Sequence, residues 1–202
     1  MSRTVGNITR SAALLLALTL AAGVTSCGKK QQAAETTPAP AESTATATPP
    51  PPAVSDANIA AIVVDADSID IKNGLVAKKM AKNAQVKAFA QQMITDHTSV
   101  NKKATDLATK LSLTPEENET SRQLVSNADA TRDAIKAKTG ANFDKAYIDN
   151  EVAYHEAVLD MLDKTLIPNA QNADLKSLLE SVKPAFQAHL DHAKQVQATL
   201  SK

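Results

Sequence analysis

Three of the four histidines stand at positions where the helix pattern around them favours an apolar residue. Core-type positions on either side of each are separated by steps of three and four residues, the spacing of helices that pack against each other. A polar ring at such a position is costly to bury unless it has a partner. The sequence therefore predicts a helical bundle with a polar site in its interior. The three histidines and their segments are His97 in 86–111, His155 in 148–166 and His189 in 175–200.

One interpretation of these histidines is a transition-metal site. Neutral imidazole binds copper, zinc, nickel and iron, and we expect copper or zinc here. His192 follows His189 by three residues on the same face, and Met93, one turn before His97, offers Cu(I) a thioether. The predicted ligands are His97, His155, His189, His192 and Met93. The residues predicted to hydrogen-bond to these ligands and orient them are Asp70, Asn73, Asp96, Glu151 and Tyr154.

The alternative interpretation is a structural one. Buried histidines can hydrogen-bond to core polar groups and fix the register of the helices without binding anything. Asp70, Asn73, Tyr147 and Tyr154 are the candidate partners in that case. The chain would then be a non-catalytic structural or stress-related protein whose partners are other proteins of the cell envelope.

No catalytic residues are predicted, and the chain is not expected to be an enzyme. A di-iron carboxylate site needs Glu-x-x-His on two helices, but the residues three positions before the histidines are Ile94, Val152, Phe186 and His189. Basic and acidic side chains number 22 each and aromatic residues are 2% of the chain. Because a basic stripe and stacking residues are both missing from the sequence, a nucleic-acid partner is not expected.

Caps and breakers predict five helices and no strand. Ser55 is the expected N-cap of the first helix and Asn83 that of the second. Thr114, followed by Pro115 and by Glu117 in a capping box, predicts the start of the third, which Gly140 should end. Asn142 is expected to cap the fourth, and the fifth should start within 169–172. Pro184 inside the fifth predicts a kink.

The lengths of the connections predict the topology of these helices. Short turns join the first helix to the second and the fourth to the fifth, which makes two antiparallel hairpins. About 30 residues lie between the hairpins and include the third helix, whose apolar stripe is thin. Two hairpins and one long crossover are the wiring of a ferritin-like four-helix bundle, with the third helix as an additional crossover element.

The first 54 residues are expected to be export and anchoring segments. Residues 1–26 have the basic start and apolar run of a signal peptide, which is too short to span a membrane. The sequence Val24-Thr25-Ser26-Cys27 resembles the bacterial lipobox, which implies cleavage before Cys27 and lipidation of that residue. The Pro- and Thr-rich segment 27–54 is predicted to be a disordered tether, and 55–202 the bundle. We expect the protein on the outer membrane, facing the periplasm.

Several short elements of the bundle together resemble a large bacterial family. They are Val86 to His97 with its Met-x-x-Asp-His ending, Phe143 to Tyr147 followed by His155, and Pro184 with His189-Leu190. The family consists of predicted outer-membrane or secreted proteins with a ferritin-like domain of unknown function. A more distant likeness is to periplasmic four-helix copper-binding proteins. The resemblance covers roughly 57–200 and implies the fold but no activity.

Overall fold

The computed structural model describes residues 54–201 of the chain, and these fold as helices without a strand. The predicted signal peptide, Cys27 and the tether up to residue 53 lie outside the described residues. Two of the helices are joined by a π-helical turn, Leu162–Leu166. The α-helices are α1 (Asp56–Met80), α2 (Ala84–Lys110), α3 (Glu119–Lys136), α4 (Gly140–Met161), α5 (Ile167–Asn169) and α6 (Ala173–Leu200).

Two of the predicted N-caps, Ser55 and Asn83, are confirmed, and the last helix starts at the end of its predicted range. The side chain of Ser55 accepts a hydrogen bond from the backbone N–H of Asn58, and Asn83 and Asn172 accept bonds from the first turns of α2 and α6. Each side chain satisfies N–H groups that have no partner inside the helix. Sequence patterns of this kind therefore place the starts of three of the four core helices.

The predicted boundaries of α3 and α4 are wrong. α3 starts four residues later than Thr114 indicates, because Asn118 is the N-cap and forms a reciprocal capping box with Ser121. Gly140 does have a positive φ of 57°, but it is the first residue of α4 and Thr139 is the N-cap, so Asn142 lies inside the helix. The local Thr-Pro-Glu-Glu pattern is overridden because Glu116 is held elsewhere, with its backbone bonded to Ala57 and Asn58 of α1.

The four long helices α1, α2, α6 and α4 form a closed ring of neighbours in that order. α3 packs outside this ring on α1 and α4, and only three of its residues are buried (Ser121, Ala128 and Ile135), as its thin apolar stripe predicts. Two side chains tie the hairpin turns to the opposite hairpin. Asp144 of α4 accepts bonds from the backbone of Lys82 and Asn83, and Asp56 of α1 accepts bonds from Gln171 and Asn172.

The apolar core is divided into two clusters, and the histidines lie between them. Along α2, Met93 belongs to one cluster and Val100 to the other, with His97 between. In the same way His155 lies between the clusters along α4, and His189 along α6. Gly74 lets α1 approach α2 closely on one side of this layer, since a Cβ there would lie 2.9 Å from Ile94. The core is therefore two apolar blocks separated by a polar layer.

Along the bundle axis, His155 of α4 and His189 of α6 lie closer to the same level than the sequence indicates. Measured from a turn near Pro168, His189 should sit roughly 9 Å beyond His155 along the bundle axis. The helical path of α4 in fact continues through the π-helical turn to Asn169, which moves the turn to 170–172. His155 and His189 are then nearly equidistant from it. α6 is continuous through Pro184.

None of the helices in residues 54–201 is both long enough and apolar enough to span a membrane.

Candidate metal centre

The three seam histidines meet in a nearly equilateral triangle at the centre of the bundle. The ring centroids of His97 and His155 are 5.7 Å apart, those of His97 and His189 5.3 Å, and those of His155 and His189 5.5 Å. Each residue is at most 2% exposed. Phe186, one turn before His189, has its ring centroid 5.0 Å from that of His97 and closes one side of the triangle.

One nitrogen of each histidine is held from outside the triangle. His97 Nδ1 lies 2.8 Å from a carboxylate oxygen of Asp67, and His189 Nε2 lies 2.9 Å from Asp96. His155 Nδ1 donates to the backbone carbonyl of Glu151 at 2.9 Å, so in the neutral ring its Nε2 carries the lone pair. Metal-binding histidines are oriented in this way, with one nitrogen bonded to a carboxylate or a carbonyl and the other directed at the ion.

The opposite nitrogens lack a hydrogen-bond partner within the part of the chain that the structure describes. They are Nε2 of His97, Nε2 of His155 and Nδ1 of His189. One nitrogen of each histidine lies within 4.8 Å of one nitrogen of each of the others. An ion with bonds of ~2.0–2.1 Å needs its ligand nitrogens within about 4 Å of each other. The triangle is therefore close to the size that one ion requires.

The histidines are in the protonation state that a metal requires. Burial lowers the pKa of His97 to about 4 and that of His155 to about 3. Burial also lowers the pKa of His189, although its hydrogen bond to Asp96 acts in the opposite direction. All three rings are therefore neutral at pH 7, and a neutral imidazole has a free lone pair for an ion.

Buried carboxyl groups surround the triangle on the side of α1 and α4. Asp70 Oδ2 lies 3.4 Å from His97 Nε2, and Glu151 Oε2 lies 3.8 Å from His155 Nδ1. Burial raises the pKa of Asp67 to about 8 and that of Glu151 to about 7. Burial, followed by the charge of nearby Glu151, also raises the pKa of Asp70 well above its usual value. Without a cation, these groups therefore retain protons near neutral pH.

The other residues predicted from the sequence have different positions. His192 does not join the triangle: its Nδ1 lies 3.0 Å from Gln92 Oε1 and its ring packs on the edge of Phe89. His192 lies on the edge of the helix face, one turn beyond the polar layer, and its role as a ligand stays a prediction. Met93 is fully buried in the neighbouring apolar cluster, and its role as a ligand stays a prediction.

Among the predicted supporting residues, Asp96 and Glu151 do bond to histidines, the latter through its backbone. Tyr154 donates its hydroxyl to the carbonyl of Ala66 and its ring lies edge-on to His155, 6.2 Å between centroids. Asn73 is buried, and its Oδ1 lacks a partner among residues 54–201.

Asp67 is the residue that sequence reasoning missed. It is 1% exposed and holds His97 directly, yet it stands off the regular core positions of α1. A signal was present in the sequence. α1 starts with the apolar run 59–64, so most of its circumference is buried, and acids later in such a helix are directed inward. Asp67 and Asp70 are three residues apart and lie on the same face.

A family model described as a domain of unknown function (DUF4142) matches residues 41–196 of the chain, which includes every residue of the triangle and its carboxylates. Neither a curated protein nor a solved structure shows significant similarity to the chain.

Proposed function

We propose that this chain, which belongs to the DUF4142 family of domains of unknown function, is an envelope lipoprotein whose helical bundle binds a transition-metal ion. The ion would be held by His97, His155 and His189, with Asp67 and Asp96 orienting two of the rings. The protein would act as a metal-binding or metal-sensing module and not as a hydrolase, since the site is enclosed by the bundle.

One observation supports the metal site above the others. All three histidines have one nitrogen hydrogen-bonded and the other left without a partner among the described residues, and the three rings lie 5.3–5.7 Å apart between centroids. A buried nitrogen without a partner costs about 1–3 kcal/mol. Three such atoms together would destabilise a site that only sets the packing of helices. A single cation bound by the three nitrogens would remove this destabilisation.

The structural alternative also has an observation in its favour. Each histidine already makes one hydrogen bond inside the bundle, and those bonds link α2 to α1 and α6 to α2. Such links fix the register of helices without any ligand. The bundle would then serve contacts with other envelope proteins. The two functions differ in whether the protein binds and is stabilised by metal.

The donor set favours zinc or copper. Three neutral imidazoles suit both ions, and Met93, one turn before His97, would add a soft ligand for Cu(I). The test is the metal content of protein purified from its native membranes, followed by titration of the metal-free protein with Zn²⁺ and with Cu²⁺. Stoichiometric binding supports the site. Protein that carries no metal and binds neither ion at micromolar concentration overturns it.

We also propose the ferritin-like wiring of the bundle. Support comes from the two helix pairs with three-residue turns, α1–α2 and α4–α6, and from the single long connection between them that contains α3. Carboxylates and histidines projecting inward from facing helices are the usual way in which such bundles build a metal site.

Membrane anchoring is tested by Cys27→Ser. The lipobox-like sequence before Cys27 and the Pro-rich segment after it support a lipid anchor on the outer membrane. Because serine cannot accept the thioether-linked lipid, we expect the variant to move from the membrane fraction to the soluble fraction of fractionated cells. Ser26→Ala keeps a small residue before the cysteine and should remain in the membrane. A Cys27→Ser protein that stays with the membrane would show that the anchor lies elsewhere.

A further inference from the structure

A second group of possible ligands lies beside the histidine triangle. One carboxylate oxygen of Asp70, one of Glu151 and one nitrogen of His155 lie within 4.8 Å of one another. Asp70 is 2% exposed and Glu151 is fully buried. The group joins α1 to α4, whereas the triangle joins α2, α4 and α6. His155 is common to both groups, so the two positions are adjacent.

The polar atoms around this second group have few partners inside the bundle. When one of them carries a proton, Asp70 and Glu151 can hydrogen-bond to each other. When neither does, Asp70 Oδ1 and both carboxylate oxygens of Glu151 have no hydrogen-bond partner in the described part of the chain, and the hydroxyl of Tyr147 has none in either state. Tyr147 is 2% exposed and stands one turn before Glu151 on α4. Burial raises the pKa of this hydroxyl well above its usual value, and the charges of Glu151 and Asp70 raise it further. The hydroxyl therefore lies near enough to these two carboxyl groups to interact with them.

The two positions also differ in chemistry. The triangle offers nitrogen ligands, which suit zinc and copper, whereas the second group offers carboxylate oxygens, which suit manganese and magnesium. Paired metal sites in proteins hold their ions about 3.5–4 Å apart, often with carboxylates between them.

We infer that Asp70 and Glu151 hold a second divalent cation of the oxygen-preferring class, beside the transition metal on the three histidines. This inference rests on the proposed function, because the second cation is placed beside the ion that the three histidines bind. His155 contributes its free nitrogen to the first ion, and the two carboxylates hold the second and can bridge to the first.

The test uses two metals that are detected separately. The metal-free full-length protein receives one equivalent of Zn²⁺, which is measured by elemental analysis after desalting. It is then titrated with Mn²⁺, and bound Mn²⁺ is measured by the loss of the electron paramagnetic resonance signal of the free ion. We expect one zinc and one manganese per chain.

Matched variants assign the manganese position. Asp70→Asn and Glu151→Gln keep shape and remove one charge each, so we expect zinc to bind while manganese affinity falls at least tenfold. Asp106→Asn is the control, since Asp106 is an exposed carboxylate of α2 paired with Lys102. This variant should bind both metals as the wild type does. Thermal unfolding of the metal-free variants establishes that each one folds.

The outcomes separate this inference from the proposed function. One zinc without manganese in the wild type overturns the second position and leaves the histidine site standing. Manganese binding that is unchanged in Asp70→Asn and Glu151→Gln also overturns it, because the ion then binds elsewhere. Binding of neither metal overturns both proposals.

Discussion

Replacing His189 with leucine should abolish the stabilisation of the protein by zinc or copper and leave the metal-free protein about as stable as the wild type. At a free metal concentration a hundredfold above Kd, binding adds about 2.7 kcal/mol to the free energy of unfolding. For a domain of this size, that corresponds to a rise in Tm of roughly 6–12 °C. Leucine fills a volume similar to that of histidine, and the partner of His189, Asp96, is 42% exposed and can be solvated by water. The measurement is thermal unfolding of each protein with and without metal.

Two further variants make this prediction specific. His192→Leu removes a histidine of the same helix that lies outside the triangle, so its metal response should equal that of the wild type. His97→Leu should also lose the metal response, but at a cost to the metal-free protein. It leaves the buried carboxyl group of Asp67 without a partner, which costs about 1–3 kcal/mol. A His189→Leu protein that is still stabilised by metal would show that the wrong residues have been assigned.

The metal-free protein should lose about 2 kcal/mol of stability between pH 7 and pH 9, where many proteins change little. In the unfolded chain the carboxyl groups ionise near pH 4, whereas burial raises the pKa of Asp67 to about 8 and that of Glu151 to about 7. The folded state therefore binds more protons than the unfolded state at neutral pH. Stability falls as the pH rises through the folded pKa values, and Asp67 alone contributes about 1.4 kcal/mol.

The other titratable groups around the site do not reverse this result. Asp70, whose pKa is also raised, acts in the same direction. The three histidines are already neutral, and the raised pKa values of Tyr147 and Tyr154 place those hydroxyls above this pH range. Below pH 6 the histidines have the opposite effect. Because their pKa values are lower in the folded state than in the unfolded chain, the stability of the protein decreases as the pH is lowered.

Metal should reverse this pH dependence. An ion in the site displaces the protons of the carboxyl groups, so its affinity rises with pH over the same range. The rise in Tm on adding zinc should therefore be larger at pH 8 than at pH 6. Chemical denaturation at a series of pH values, with and without zinc, measures both effects, and Asp67→Asn should remove about two-thirds of the pH dependence of the metal-free protein. Stability that stays constant or increases from pH 7 to pH 9 without metal would contradict the assigned carboxyl groups.

The sequence predicts the core of the bundle well because the helix periodicity is regular. In 175–200, eight positions follow steps of three and four residues from Leu175 to Leu200; seven of them are buried and only Leu200, at the helix end, is partly exposed. The three histidines follow the same period, so spacing predicts that all three are directed into the bundle. Side-chain caps such as Ser55 and Asn83 act within one turn, so local sequence is enough to locate them.

The failures of the sequence predictions arise where distant contacts decide the structure. The start of α3 depends on the backbone of Glu116 bonding to Ala57, some sixty residues away. His155 and His189 lie at nearly the same level along the bundle axis because of the π-helical turn, which has no clear sequence signature. Asp67 was missed because its partner, His97, lies on another helix. His192 lies outside the triangle because the spacing of residues does not by itself define how wide a helix face is.

The measurement that tests the central claim most directly is X-ray absorption spectroscopy of the zinc-loaded full-length protein. The account predicts one zinc per chain with nitrogen ligands at about 2.0–2.1 Å, the outer-shell scattering of three imidazole rings, and the loss of one ring in the His189→Leu variant. Zinc that is bound by oxygen ligands alone, or that shows the same imidazole count in His189→Leu, would contradict it. So would a protein that retains no zinc after desalting.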